Sequence, residues 1–185
     1  MQGVELLVRE HQNILRFIAY WQDICCKILE GAEVDCALFR DCIDFARNYA
    51  DKHHHGKEEE ILFDIMVKKL GGVANKLITN GMLVEHDLGR LYLSELSKAL
   101  EQYEREPSTQ LKLDILVQAM SYGNLLKRHI AKEDETVYTF AERLLSQEDK
   151  QTVDAMTAEL EESDTGRARR EKYLAWLDER TRVGG

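Results

Sequence analysis

Four segments of the chain repeat apolar residues at intervals of three and four positions, the spacing that forms one face of a helix in a bundle. Runs of alternating β-branched residues are nearly absent, and only one proline interrupts the sequence. The sequence therefore predicts an all-α protein. The repeating positions are Val4, Leu7, His11, Ile14, Ile18, Trp21, Cys25 and Ile28 in the first segment; Phe39, Ile43, Ala46, Ala50, His54, Glu58, Ile61 and Ile65 in the second; Met82, His86, Gly89, Leu93, Leu96, Leu100 and Tyr103 in the third; and Leu111, Ile115, Ala119, Tyr122, Leu126, His129, Glu133, Thr136 and Phe140 in the fourth.

Short connections separate these segments, and short connections make consecutive helices antiparallel neighbours. We therefore predict an up-down-up-down four-helix bundle over residues 1–145. Residues 146–185 are predicted to form a short helical extension packed on the same domain. The breaks between segments fall at Gly31, at Gly71 and Gly72, at Pro107 and Ser108, near Ser146, and between Ser163 and Gly166.

The chain of 185 residues carries a formal net charge of −9 at pH 7, with no basic stripe to offset it. This charge disfavours nucleic acids and anionic membranes as partners. No apolar run reaches the length of a membrane span, and the first residues include acids where a signal peptide would be apolar. We therefore expect a cytoplasmic protein.

The four cysteines are too few and too unevenly spaced for a disulfide scaffold or a zinc ribbon. Cys25 lies in the apolar repeat of its segment, which favours a small buried side chain. A redox role for the adjacent Cys25 and Cys26 stays open, and the remaining two cysteines are Cys36 and Cys42.

Polar residues occupy six positions of the helical repeats where Leu or Ile is expected. A single histidine of this kind is usually a hydrogen-bonded core residue, but here each of the four helices contributes one. A buried carboxylate is costly unless it is paired or bound to a metal. The pattern therefore favours one shared site. Its members are His11, His54, Glu58, His86, His129 and Glu133.

The depth of these residues in the bundle supports a shared layer. For each pair of consecutive helices, we counted the residues between the histidine and the turn that joins the two helices. The two counts differ by at most three residues, which is about 5 Å along a helix. His54 and Glu58 are four residues apart, as are His129 and Glu133, so each pair shares one helix face. Imidazole and carboxylate together suit iron, manganese or zinc, and two carboxylates can bridge two cations. We therefore predict a metal pair in the core.

The run DKHHHGKEEEILF, residues 51–63, is dense in ligand-type side chains. His54 and Glu58 are predicted to face the core and Glu60 to face solvent. The sequence leaves open whether four neighbouring side chains also reach the metal: His53, His55, Glu59 and Asp134.

Four short motifs, HHHGKEEEILF, HIAKEDETVY, VREHQNI and VEHDLGR, resemble the hemerythrin-like, or HHE cation-binding, domain over residues 1–145. The resemblance implies a non-haem di-iron centre of two iron ions, with a bridging oxo or hydroxo group, inside a four-helix bundle. The six core residues named above would be its ligands. No glutamate precedes a histidine by three positions, which disfavours the pattern of ferritins and rubrerythrins.

The sequence departs from the oxygen-carrying hemerythrins at two positions. Those proteins have a second histidine one turn before the third-helix ligand, where this chain has Met82. Their last carboxylate is an aspartate five residues after its histidine, which would be Asp134, but Glu133 fits the helical repeat better. A set of four histidines and two glutamates is more similar to di-iron repair proteins linked to nitrosative stress.

The resemblance predicts a di-iron protein that binds or reacts with O2, NO or peroxide, in the response to oxidative or nitrosative stress or in iron handling. Met82 in place of a ligand predicts one iron that is more open, which favours reactivity or sensing over reversible carriage. The alternative is an iron- or oxygen-responsive module whose metal is chiefly structural and whose output is a protein partner, bound through residues 147–182. The sequence does not identify an electron donor. A bundle without metal is a third, less favoured hypothesis.

Overall fold

The computed structural model describes residues 1–182, which are helical except for short connections. The α-helices and several π-helical segments join into six continuous helices in this part of the chain. The prediction of an all-α protein is confirmed. The α-helices are α1 (Gln2–Leu29), α2 (Cys36–Phe45), α3 (Phe63–Leu70), α4 (Gly72–Leu77), α5 (Leu83–Arg105), α6 (Thr109–Lys132), α7 (Tyr138–Leu144), α8 (Gln147–Glu162) and α9 (Asp164–Thr181). The π-helical segments are π1 (Ala46–His55), π2 (Glu58–Leu62), π3 (Ile78–Met82) and π4 (Glu133–Val137).

Helix boundaries coincide with the breaks expected from the sequence. Gly31 and Gly71 adopt positive φ angles of 110° and 71°, a conformation that glycine reaches without the steric cost of a Cβ atom. Ser108 and Ser146 are the N-caps of α6 and α8, and each accepts a hydrogen bond at its side chain from a backbone N–H of the first turn. Such caps satisfy backbone donors that the helix itself leaves unpaired.

Two apolar clusters fill the interior, one on each side of a polar layer. Along α1, Val4 and Leu7 belong to one cluster and Ile14 to the other, and His11 lies between them. Apolar burial on both sides stabilises the helix packing and keeps the polar layer out of contact with water. All the histidines predicted as ligands are therefore enclosed by the core.

Helices α8 and α9 pack against α1. Val153 of α8 joins the cluster that contains Val4, and Leu177 of α9 joins the cluster that contains Ile14. The division into residues 1–145 and 146–185 stays a prediction, and residues 183–185 lie outside the described part of the chain. Within residues 1–182, every helix is too short or too polar to cross a membrane.

The π-helical segments lie next to the polar layer. π1 contains His54 and His55, π2 begins at Glu58, and π4 begins at Glu133. π-Helical turns are rare and often occur at functional sites. The backbone hydrogen bonds of a π-helix join residues five apart rather than four. Each residue therefore turns through a smaller angle around the helix axis, and adjacent side chains point in more similar directions than in an α-helix. This geometry allows the neighbouring His54 and His55 both to be buried.

Candidate metal centre

The structure brings together the six side chains that the sequence placed in one layer. All six are at most 1 % exposed. They come from four of the continuous helices, so only the folded chain brings them within reach of each other. They are His11 on α1, His54 on π1, Glu58 on π2, His86 on α5, His129 on α6 and Glu133 on π4.

One half of the layer contains two histidines. His11, His54, Glu58 and Glu133 each offer one donor atom, and these atoms lie within 4.8 Å of one another. His11 Nε2 is 3.3 Å from Glu133 Oε2, and His54 Nε2 is 3.7 Å from Glu58 Oε2. We call this set the two-histidine group.

The other half contains three histidines. Donor atoms of His55, Glu58, His86 and His129 also lie within 4.8 Å of one another. Glu58 Oε2 is 3.5 Å from His86 Nε2, and Glu133 Oε1 is 3.1 Å from His129 Nε2. We call this set the three-histidine group. Both carboxylates thus lie between the two groups, where each can serve two cations.

His55 is a member that the sequence prediction left open. Its ring stacks on the His86 ring at a centroid distance of 3.7 Å and an interplanar angle of 7°. Met82, at the position where a fifth histidine was sought, is buried in an apolar cluster instead. The fifth imidazole therefore comes from the second helix, next to His54. Helical periodicity missed it because that reasoning assumed α-helical rotation between neighbours.

Every histidine of the two groups has a carboxylate at its outer ring nitrogen, Nδ1. A carboxylate at this position fixes the tautomer, because Nδ1–H donates to it and the Nε2 lone pair is left for a metal. The Nδ1–carboxylate distances are 2.7 Å for His11 and Asp134, 3.0 Å for His54 and Glu10, 3.3 Å for His55 and Asp51, 2.6 Å for His86 and Glu59, and 2.9 Å for His129 and Glu85.

These pairs assign two residues that the sequence left open. Glu59 and Asp134 support His86 and His11 from outside and are members of neither group. We call the five carboxylates at the Nδ1 atoms the outer carboxylates. The sequence contains one indication that some of them lie near the histidines, because Glu10 and Glu85 each directly precede a histidine. Each of them, however, supports a histidine on another helix, which no local pattern reveals.

The inner atoms of the layer fit a bound cation. Six buried side-chain atoms have no hydrogen-bond partner among residues 1–182, and four of them lie in this layer: His54 Nε2, Glu58 Oε2 and both carboxylate oxygens of Glu133. Buried polar atoms without partners are costly. His86 Nε2 and His129 Nε2 are 2.9 Å apart with their protons placed on Nδ1, so two lone pairs face each other. Two nitrogens bound at right angles to one ion at about 2.1 Å would lie about 3 Å apart.

A family model described as the Hemerythrin HHE cation binding domain matches residues 2–141. The chain belongs to the hemerythrin HHE cation-binding family. A search of curated proteins and a search of solved structures gave no match to the chain. The matched residues contain both histidine groups of this hemerythrin-family protein, whereas helices α8 and α9 follow them.

The two central carboxylates differ in pKa before metal binds. Burial and the charge of Glu133 raise the pKa of Glu58 well above its usual range. Burial acts in the same direction on Glu133, but His129 and His11 outweigh it and hold the pKa of Glu133 well below its usual range. In this hemerythrin-family site Glu133 therefore ionises more readily than Glu58, and a bound cation would favour the ionised form of Glu58.

The two histidines of the two-histidine group also differ. Burial opposes the charged form of His11, but the carboxylates of Asp134 and Glu133 outweigh it and raise the pKa of His11 to about 9. Burial and the charge of His11 lower the pKa of His54 to about 4. At neutral pH His54 is ready to bind a metal, whereas His11 must first lose a proton.

Tyr138 is a further residue of the site that the sequence prediction did not include. Its hydroxyl donates to Glu58 Oε1 at 2.6 Å, and its ring stacks on His11 at a centroid distance of 5.5 Å. The hydrogen bond occupies one oxygen of Glu58 and leaves the other directed at the histidines.

A third cluster of ligand-type side chains lies beside the layer and is already filled. Glu10, His53 and Glu161 are close enough to share an ion. Lys57 Nζ lies 2.7 Å from Glu161 Oε2 and 3.0 Å from His53 Nε2, and it also bonds to Glu10. The ammonium group thus takes the place that a metal would need. His53 belongs to this lysine-filled cluster, and Glu60 is exposed as predicted.

Proposed function

We propose that this protein binds two iron ions between the first four continuous helices, which form an up-down-up-down bundle, and takes up O2, NO or peroxide at one of them. The observation that carries the proposal is the pair of histidine groups with Glu58 common to both and Glu133 between them. One ion would be held by the two-histidine group and the other by the three-histidine group. Bound iron would supply the exchange of electrons with a small ligand.

The difference in histidine number decides where a small ligand binds. The two-histidine group offers one imidazole fewer, so the ion there keeps more positions free. The sequence-based expectation placed the more open ion beside Met82 and His86. Because His55 adds an imidazole on that side, we propose that the open position is on the side of His11 and His54.

The residues around the ions hold the donors in place. The outer carboxylates fix each Nε2 toward the layer. Tyr138 fixes the Glu58 carboxylate through its hydrogen bond. The apolar clusters on both sides exclude water, which favours small neutral ligands over hydrated ions.

An iron-responsive module that signals to a protein partner is a second candidate. It is favoured by one observation, the continuous set of buried contacts that joins His54 through Glu10 and Lys57 to Glu161 on α8. Through these contacts a change at the metal would reach the helices that follow the family domain.

Metal analysis of protein loaded with iron under anaerobic conditions tests the proposal. We expect two irons per chain and new near-ultraviolet and visible absorption after addition of O2, NO or peroxide. A stoichiometry of one, or selectivity for a single zinc ion, would contradict the two-iron assignment. Two bound irons without any spectral response to these ligands would favour the second candidate.

A further inference from the structure

A buried ion-pair network links the ligand His54 to helix α8. The Lys57 side chain is fully buried between two carboxylates, Glu10 and Glu161. Glu10 Oε1 bonds to Lys57, while Glu10 Oε2 accepts from His54 Nδ1 at 3.0 Å. The position of Lys57 therefore determines how the Glu10 carboxylate presents its second oxygen to His54.

The carboxylate that supports His54 differs from the other four outer carboxylates. Glu10 is only 4 % exposed at its side chain. The carboxylates at His11, His55, His86 and His129 are 22–30 % exposed and remain in contact with water. A buried carboxylate needs a counter-charge from inside the protein. Lys57 supplies that charge and is itself fully buried. Three of the four partly exposed carboxylates also have a cation partner, but Arg90 and Lys132 are themselves 40 % and 48 % exposed.

Glu161 completes the network from outside the family domain. It lies near the end of α8, beyond residue 141, where the family match ends. Its Oε2 accepts from Lys57 at 2.7 Å, and its Oε1 pairs with the partly exposed Arg170 of α9. Without Glu161, the partners of the Lys57 ammonium within residues 1–182 would be reduced to Glu10 and His53.

We propose that Lys57 and Glu161 are positioning residues for the ion of the two-histidine group, acting through Glu10 on His54, so that helix α8 is a component of the metal centre. The inference rests on the proposed two-iron function. Neither residue touches the metal. Each acts on the orientation of the His54 ring, which must present Nε2 to the ion.

The first experiment compares two adjacent substitutions on α8. Glu161→Gln removes the charge that anchors Lys57 and keeps the shape of the side chain. Glu162→Gln changes the exposed neighbour, whose contact with Arg170 is 3.8 Å, and serves as the matched control. Protein loaded with iron(II) is mixed with a chelator without oxygen, and the release of each ion is timed.

We expect one of the two ions to leave Glu161→Gln roughly tenfold sooner than wild type and the other to leave at the wild-type rate, because changes to groups behind a metal ligand weaken binding by about 10- to 100-fold. Glu162→Gln should release both ions at the wild-type rates. Leu177→Ala, a core change in α9 away from the network, measures the effect of lost stability alone. Equal acceleration in Leu177→Ala, or none in Glu161→Gln, would overturn the proposal.

Lys57→Met and the double variant Lys57→Met/Glu161→Gln test the path of the effect. If Glu161 acts through Lys57, adding Glu161→Gln to Lys57→Met should give no further increase in release rate. Additive increases would show that Glu161 acts by another route and would overturn the proposed path.

A measurement on the metal-free protein separates this proposal from the two-iron function. The imidazole resonances of all histidines are recorded by NMR in wild type, Glu161→Gln and Glu162→Gln. We expect Glu161→Gln to shift the His54 signals, together with those of the contacting His53, and Glu162→Gln to shift neither. Unchanged His54 signals would overturn the positioning role even if two irons bind. A clear shift would support it even if wild type binds only one.

Discussion

The protein buries two neighbouring clusters of imidazole and carboxylate groups, and they differ in what balances the negative charge. In the lysine-filled cluster, the Lys57 ammonium contacts Glu10, His53 and Glu161. In the layer that contains Glu58 and Glu133, four inner atoms have no hydrogen-bond partner within residues 1–182. Similar side chains therefore serve two purposes. A cluster with its own cation is a structural contact, whereas a cluster without one is arranged to bind cations from solution.

Substitution of adjacent histidines is the strongest test of this difference. We expect His54→Ala to lose at least one of two irons, because it removes a donor of the two-histidine group. His53→Ala should keep both, since His53 belongs to the lysine-filled cluster. Iron content after gel filtration measures the outcome, with the exposed Glu60→Ala as the control. Loss of iron from His53→Ala equal to that from His54→Ala would remove the distinction between the clusters.

Iron should also stabilise the folded protein, because its donors converge only in the folded chain. At a free iron concentration 1,000 times the Kd of a site, mass action adds about 4 kcal/mol per site to the free energy of unfolding. For a chain of this size we expect each occupied site to raise the melting temperature by roughly 8–16 °C. Calorimetry of metal-free and iron-loaded protein measures the difference. Identical melting temperatures would show that the layer is not arranged around a cation.

The pH dependence of the metal-free protein should reflect His11 and His54. The pKa of His11 is raised to about 9, so its stabilising contribution is present below pH 6.5 and is lost as the pH rises toward 9. The pKa of His54 is lowered to about 4, so its contribution is present above pH 6.5 and is lost as the pH falls toward 4.

We therefore expect the stability of the metal-free protein to fall between pH 6.5 and 9, with up to about 3 kcal/mol of the loss due to His11. The raised pKa of Glu58 acts in the same direction, because the fold disfavours its ionised form. Iron bound by these residues would hold both rings neutral and Glu58 ionised, so this alkaline loss should disappear. Urea unfolding from pH 4 to 9 measures both curves. An alkaline loss of unchanged size in His11→Gln would show that His11 does not contribute to it.

Tyr138→Phe should have the smallest effect. The variant keeps the ring that stacks on His11 and removes only the hydrogen bond to Glu58 Oε1. We expect about 1 kcal/mol weaker iron binding, roughly a fivefold rise in Kd. Competition with a chelator measures the change. Tyr20→Phe, a tyrosine outside the layer that packs on Trp176, provides the comparison and should leave the Kd unchanged.

The helical fold was predictable because an apolar repeat and the residues that break helices are local properties of the sequence. Positions such as Gly31, Gly71 and Ser108 end or begin helices for reasons that one short segment contains. The convergence of one histidine per helix was also predictable, since the helix lengths fix the depth of each residue in the bundle.

The remaining parts of the site depend on departures from regular α-helices and on contacts between helices. His55 enters the three-histidine group because π1 brings two adjacent residues to the interior. Glu10 supports His54, and Glu85 supports His129, across helix interfaces. The burial of Lys57 was not predicted from the sequence, because it depends on Glu10 of α1 and Glu161 of α8, which are distant in the chain.

Anomalous diffraction at the iron absorption edge, from crystals of iron-loaded protein, tests the central claim most directly. We predict two iron peaks about 3.5–4 Å apart. One should lie next to the Nε2 atoms of His11 and His54, and the other next to those of the three-histidine group, with Glu58 between them. A single peak, or a peak in the lysine-filled cluster, would contradict the account.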